Sequence, residues 1–478
     1  MRMTNFFLHP FNGPNSIYDM TTNPPIHKAP GLLGSMRPFM HSPREFLQSL
    51  QDHGSPIVKF RLAHMQAYYL TTPEATLHVL QKNQANYYKG GTAMNIGRKL
   101  LGNGLVFSNG DFWKRQRRIA NPAFHNQCLA HYVSVMQRRT QVMLEELAAR
   151  SHQATPVNLY DAFNELAITI VRDNLFGADL SQKDMATILK AINYTMVEGQ
   201  RRVRAGFLLP LWIPTPGNRK LVEAMKTSEA IVIRLIAEKA EAPEPGRSLI
   251  DMLLHTPDPE TGEHMSPQQI SDEVKIFFLA GTDTSANAMS WLAYLLDRHP
   301  EVRERVRAEV TEELGGRLPG MEDMKRLSYT GRVIKESLRL YAPAWLLTRA
   351  NYEADEIEGI HLPKESNIFF SPLMMHHHPD HWEDPERFDP DRWLPERKDR
   401  NNHKAYMPFI VGPRKCIGFR FAELEITIML AMLVQRFNWS LPVGHKAEIE
   451  YSGAIRPLGG LPVYLQPLPQ ATLETVPG

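Results

Sequence analysis

The stretch Phe409-Ile410-Val411-Gly412-Pro413-Arg414-Lys415-Cys416-Ile417-Gly418 puts one thiol in a basic, glycine-bracketed loop, directly before a long apolar run. The thiolate is favoured there by Arg414 and Lys415, by backbone N–H groups of the turn and by the positive end of the helix that follows. Gly412 and Gly418 let the chain bend tightly and let a flat ligand approach it. A lone thiolate does not make a structural zinc site, which takes four ligands. It suits the single proximal ligand of a haem iron; the alternative is a reactive or merely buried cysteine.

A second group, Ala280-Gly281-Thr282-Asp283-Thr284-Ser285, interrupts an apolar stretch that runs through Phe277-Phe278-Leu279 and resumes at Met289 and Trp291. Polar residues in succession inside a buried helix are costly unless they are partnered. Gly281 weakens the helix, and hydroxyls bonding back to carbonyls bend it. Read alone, this is either a kinked core helix or a functional site. Ala280 and Thr284 share a face.

The elements that must hold these groups are mostly helical. Ser266-Pro267-Gln268-Gln269 is a capping box with proline at the first helical position. The helix it starts is predicted to run to Asp297, stopped by His299-Pro300, about 45 Å at 1.5 Å per residue. Residues 57–72 read as two strands around Ala63-His64-Met65, followed by a helix that Pro73 starts. From 111 to 300 the pattern is helical, broken at Phe207–Gly217 and at Ala242–Gly246, the second break leading to a short helix and the loop Thr256–Met265. An irregular stretch covers 376–407, and terminal strands cover 457–467.

The 478 residues are 43% hydrophobic and 22% charged, and the net charge of +2 gives no bulk argument for nucleic acid or anionic membrane. Two cysteines exclude a disulfide framework and fit a reducing compartment; Cys128 reads as a small buried hydrophobe. The first thirty residues hold one short apolar cluster, Phe6-Phe7-Leu8, which is neither a signal peptide nor a membrane anchor.

F-x-x-G-x-R-x-C-x-G is the haem-binding signature of the cytochromes P-450, and the chain resembles that family at every fixed position of it. Ala280-Gly281-Thr282-Asp283-Thr284 resembles the family's A-G-x-D/E-T motif, and the likeness extends from Trp113 to the last strands. It implies the cytochrome P-450 fold, mainly α with small β-sheets. The layout expected is a poorly structured extension at 1–30 and a single haem domain at 31–470, β-rich over about 31–80 and helical over about 81–470.

The likeness also implies roles. Cys416 would ligate the iron of haem b, with Phe409 and Gly418 completing the loop. Ala280 would let the ring lie close, Thr284 would stand beside bound O2, and Asp283 would relay protons from solvent. Trp113 and Arg117 resemble the family's W-x-x-x-R and, with Arg349 and Arg414, would neutralise the haem carboxylates through bidentate guanidinium forks. Position alone adds Lys89. Glu336 and Arg339 resemble the family's E-x-x-R, with Arg387 as third member of a buried structural network. The His-rich run His376-His377-His378 and His381 invites a metal reading. It aligns instead with a family loop through Ser371, His376, Pro379, Trp382, Asp384, Pro385 and Phe388.

The function implied is a cytochrome P-450 monooxygenase that activates O2 with electrons from outside and hydroxylates or epoxidises a lipophilic molecule: fatty acid, terpenoid, steroid or polyketide. A peroxide-dependent haem-thiolate enzyme and a haem-based sensor are the alternatives. No G-x-G-x-x-G follows a strand and no cysteine set holds an iron–sulfur cluster, so the electrons need a redox partner. Lys114, Arg115, Arg118 and Lys415 form a candidate basic patch for an acidic ferredoxin or flavodoxin. The substrate pocket is expected to involve Ala280, Thr284, Ala344, Trp345, Leu346 and Ile455, near the loop from Met94 to Leu101, with the apolar segment Phe207–Pro214 over the entrance. A monomeric, cytoplasmic protein of the soluble bacterial type is expected.

Overall fold

Ser266 caps the long helix as its sequence requires: its hydroxyl accepts from the Gln269 N–H, and the Gln269 side chain accepts from the Ser266 N–H at 2.7 Å. The computed structural model describes residues 23–29, 31–151, 155–177, 181–204, 209–241 and 248–469. Phe207, Leu208, the break at 242–246 and most of the expected extension lie outside the described residues. What is described of that extension is ordered: Lys59 donates its N–H to the Pro25 carbonyl at 2.8 Å, and Ile26 bridges Lys59.

In chain order the α-helices are α1 (Met36–His41), α2 (Pro43–Gln51), α3 (Pro73–Leu77), α4 (Thr92–Leu101) and α5 (Gly110–Ala120). Then come α6 (Asn126–Arg150), α7 (Leu159–Phe176), α8 (Gln182–Arg204), α9 (Pro216–Ala240) and α10 (Leu249–His255). The last are α11 (Pro267–Arg298), α12 (Pro300–Leu314), α13 (Ser328–Leu340), α14 (Pro372–His376) and α15 (Phe419–Arg436). Three helices thus lie in the stretch expected to be β-rich. The strands are β1 (Ile57–Leu62), β2 (Met65–Leu70), β3 (Tyr87–Tyr88), β4 (Val157–Asn158), β5 (Leu347–Asn351) and β6 (Asp355–Ile357). They continue with β7 (Ile360–Leu362), β8 (Asn367–Phe370), β9 (Phe437–Ser440), β10 (Ile449–Tyr451), β11 (Ile455–Pro457) and β12 (Pro462–Pro467).

The largest sheet has the order β1-β2-β8-β5-β3, antiparallel except where β2 meets β8. Its register sets Arg349 opposite Ile368. A second sheet runs β4-β12-β9, and β6-β7 and β10-β11 are hairpins. The principal core joins α6, α7, α11, α12, α13 and α15. Its centre is α15, whose buried run from Leu424 to Gln435 is enclosed on all sides, as a helix apolar all round must be.

Gly281 has a packing role that the sequence did not show. A Cβ there would meet Val171 Cγ2 at 2.8 Å, so the glycine lets α7 lie against α11, which stays one continuous helix.

Candidate active site

The cysteine loop is built by short-range hydrogen bonds. The Ile410 N–H donates to the Met407 carbonyl at 3.0 Å, the Lys415 N–H to Gly412 at 3.0 Å, and the Cys416 N–H to Phe409 at 2.9 Å. Gly412 has φ +77, and a Cβ there would stand 2.0 Å from the Leu80 carbonyl oxygen. Any side chain would be strained twice over. Gly418 is unlike it: its φ is −87, and a Cβ would make an ordinary 3.7 Å contact with Phe124. Protein packing does not demand glycine there. The Phe409 ring lies 6.3 Å from Phe419.

The sequence suggests a thiol that ionises readily; the structure corrects this. Burial pushes the Cys416 thiol up from its ordinary value, and the Gly418 N–H, Arg117, Lys89 and Lys415 only oppose that rise. Arg414 points elsewhere. It donates to the Ser108 carbonyl at 2.8 Å and to Asn109 Oδ1 at 3.2 Å, and its guanidinium lies 4.0 Å from the centre of the Trp113 ring.

Lys89, Arg117, Arg349 and Arg414 form a group of cations that feel one another, and Lys89 and Arg117 also bear on Cys416. Arg349 is 5% exposed and Trp113 8%. Burial first, then mutual repulsion, drives Lys89 well below its ordinary value and Arg414 down to about 9; burial alone brings Arg349 to about 10. Among the described residues no carboxylate forms a salt bridge with any of the group. Buried cations without anions are expensive, so the cluster suits a ligand that brings carboxylates.

Accessible surface is left at Cys416, beside this cluster, and on α11. Cys416 offers accessible surface although protein atoms surround it densely. Ala280 is exposed in the middle of α11, between the buried Phe278 and Thr282. Thr284, half-buried one turn on, donates its hydroxyl to the Ala280 carbonyl at 2.6 Å. A flat iron-bearing ring with two carboxylates fits this donor set: one thiol for the metal, a side-chain-poor helix face for the ring, and paired arginines for the acids.

Asp283 is held by Asn287, whose amide donates to its carboxylate at 3.2 Å. Burial raises the Asp283 pKa, with Arg456 and the Asn287 bond opposing and Glu450 adding to the rise. Arg456 makes a two-point pair with Glu450 across the β10–β11 hairpin, at 2.9 and 2.9 Å. Ser285 instead donates to Glu425 on α15, a 1% exposed acid pushed up to about 8 by burial.

The structural network has a different third member from the one read in the sequence. Arg339 holds Glu336 through Nε at 3.0 Å and Nη2 at 2.9 Å, both residues being fully buried. Arg387 is exposed and gives only its carbonyl, at 3.1 Å from Arg339 Nη2. Arg392 takes the place: 1% exposed, it donates to Glu336 Oε1 at 3.1 Å, while the Trp393 indole donates to Oε2 at 3.0 Å. Pro390 starts the short 3₁₀ turn that points both at Glu336.

Of the expected pocket residues, Ala280 is exposed and Thr284, Ala344 and Leu346 are half-buried, whereas Trp345 and Ile455 are packed into a core cluster. Trp345 donates its indole N–H to Ser452 at 2.9 Å, and the Ile455 carbonyl accepts from Trp291 at 3.3 Å. An apolar cluster not assembled from the sequence gathers Ile96, Leu100 and Leu101 of α4, Phe107, Leu221 of α9 and Ile276 of α11, with Leu211 and Leu279 against it.

The basic patch is largely neutralised. Arg118 forks onto Asp258 at 2.7 and 2.8 Å, Arg115 pairs with Glu263 at 3.2 Å, and Lys114 with Asp111 at 2.9 Å. Lys415 lies 3.4 Å from the centre of the Phe419 ring. The His-rich run is spent on hydrogen bonds: His377 meets Glu386 at 2.9 Å and the Leu340 carbonyl at 2.9 Å. No group of three or more potential metal ligands occurs among the described residues. No helix among them is long and apolar enough to cross a membrane.

The family model described as Cytochrome P450 matches residues 24–459. The chain is 35% identical to "Cyclooctatin synthase" of Streptomyces melanosporofaciens, over 94% of each chain. It is 34% identical to "Cyclooctat-9-en-7-ol 5-monooxygenase" of the same organism, covering 92% of this chain and 95% of that one. It is 32% identical to "Pentalenene oxygenase" of Streptomyces avermitilis, covering 88% and 92%. Its fold is similar to the "cytochrome P450DA heme domain" crystal structure, with TM-score 0.82 and 22% identity over 95% of this chain and 99% of that one. With the thiol loop, the open face of α11 and the unpaired cations, these likenesses establish that the chain belongs to the cytochrome P450 family, as a haem b monooxygenase that uses O2 and a redox partner to oxygenate a lipophilic small molecule.

Proposed function

We propose that the enzyme hydroxylates a terpenoid, with Cys416 as the iron ligand. The observation that carries the substrate class is the near full-length likeness, at 32–35% identity, to relatives that modify terpenoids.

Haem, when bound, supplies dioxygen binding and the oxidising power to put one oxygen atom into a C–H bond. The chain's part is positioning and protons. Arg117, Arg349, Arg414 and Lys89, with Trp113, would hold the haem carboxylates, and the small Ala280 would leave room for the ring. Thr284 keeps its hydroxyl proton on the Ala280 carbonyl and can turn it toward an oxygen-side acceptor. Asp283, whose pKa burial raises, stands one residue away as the relay to solvent.

Electrons come from a ferredoxin or flavodoxin in the cytoplasm. With Arg115 and Arg118 committed to acids, steering by the patch read from the sequence rests chiefly on Lys415, and a shallow dependence of turnover on salt is expected. The test is a panel of terpenoids, fatty acids and steroids titrated for the low-to-high-spin shift of the haem band, followed by turnover with reductase and O2. A shift with fatty acids or steroids and with no terpenoid would overturn the substrate class.

A further inference from the structure

His376 closes α14 and is fully buried, and each of its polar atoms is committed. Nδ1 lies 3.0 Å from the Arg339 carbonyl, Nε2 lies 2.9 Å from the Met407 amide nitrogen, and its own carbonyl accepts from Arg339 Nη1 at 2.7 Å. A carbonyl can only accept and an amide N–H can only donate, so the partners dictate one form: neutral imidazole with the proton on Nδ1. The ring stacks on Tyr406 with centroids 5.4 Å apart and planes at 28°.

The two ends of this imidazole reach different parts of the site. One end is the buried Glu336–Arg339–Arg392 network. The other is Met407, whose carbonyl accepts from Ile410, the residue that starts the cysteine loop, while Phe409 accepts from the Cys416 N–H at 2.9 Å. Ile410 sits at φ +61, a left-handed conformation that a β-branched residue enters only under constraint. Something must hold the loop's entry in place, and among the described residues the Met407 N–H is tied to His376 Nε2.

We propose that His376 is a positioning residue that splices the buried Glu336–Arg339–Arg392 network to the loop carrying Cys416, and so fixes where the sulfur stands. This rests on the assignment of Cys416 as iron ligand. It assigns the first histidine of a run that otherwise suggests a metal to a purely mechanical task.

The charges facing the ring agree with it. Arg339 of α13 and His377 beside it, together with burial as the larger effect, hold the imidazole well below its ordinary pKa, against its hydrogen bonds to backbone. Tyr406, on the third side, is itself kept protonated by burial. An imidazolium would set N–H against the Met407 N–H and release the loop.

The test compares His376→Asn, His376→Gln and His376→Leu as haem-loaded protein. Asparagine keeps a donor near the Nδ1 position and loses the acceptor for Met407; glutamine places an amide oxygen near Nε2 and restores it. Amide hydrogen exchange across residues 405–416 is expected to be at least tenfold faster in H376N than in wild type, with residues 336–339 unchanged, and near wild type in H376Q. The ferrous carbonyl spectrum should move in part from the thiolate to the neutral-thiol form in H376N and recover in H376Q. Equal exchange and spectra in H376N and wild type would overturn the proposal, and so would H376Q as impaired as H376N. If H376L does not fold, the Asn/Gln pair still decides. A wild-type protein without the thiolate signature would sink the Cys416 assignment alone, since exchange reads the splice independently.

Discussion

Replacing Arg392 by alanine leaves the fully buried Glu336 with Arg339 and the Trp393 indole but without its second cation. It also takes the Arg392 Nη1 donor from the Glu383 carbonyl, while the Asp384 carbonyl and Asn401 Oδ1, met at 3.0 and 3.1 Å, keep the Arg387 and Glu383 N–H groups. Breaking a buried charge network on one side costs about 3–5 kcal/mol, because the remaining charge stays desolvated. At roughly 1.4 kcal/mol per tenfold, that lowers the folded population ratio by about two to nearly four powers of ten. Arg387→Ala is the control: its side chain is exposed and its carbonyl, the only group that touches Arg339, survives the change. A surface truncation of that kind stays within about 0.5 kcal/mol. The assay is guanidinium unfolding of the haem-loaded proteins, followed by the haem band and by far-ultraviolet dichroism. Equal destabilisation by the two variants would refute the assignment of Arg392 as third member, and greater loss in R387A would restore the sequence reading.

Gly412→Ala should cost at least about 1–3 kcal/mol, since it adds a Cβ 2.0 Å from the Leu80 carbonyl at a φ of +77; the fraction of protein purified with haem is the readout. Thr284→Ala should retain haem but divert reducing equivalents to peroxide; unchanged product per electron would count against the proton role. Glu425 has a folded pKa of about 8, above its unfolded value, so the stability it contributes is full below about pH 4.5 and lost as pH rises through about 8. Glu425→Gln should therefore gain on wild type over that interval, and parallel stability–pH curves would contradict it.

Local rules made much of this readable. The Ser266 box, the Pro73 helix start and the Ala63 hairpin are all decided by residues a few positions apart, and each stands where expected. The cysteine loop and α11 were legible for the same reason. Choices among distant partners were not. Arg387 and Arg392 are equally good guanidinium donors in sequence, and only the turn that begins at Pro390 selects the second. Gly281 looks like a helix weakness until Val171 arrives from α7. Arg115 and Arg118 of α5 look free until the loop after α10 brings Asp258, Glu260 and Glu263 onto them. The thiol looks easy to ionise because a sequence shows nearby charge but not the loss of water, which here is the larger influence.

The unpaired cation cluster has a consequence for how the protein matures. A polypeptide that packs Lys89, Arg117, Arg349 and Arg414 together before any acid arrives carries an internal repulsion that its prosthetic group relieves. Cells starved of iron should accumulate a loosened, protease-sensitive form, and the yield of intact enzyme should track porphyrin supply more steeply than transcript level.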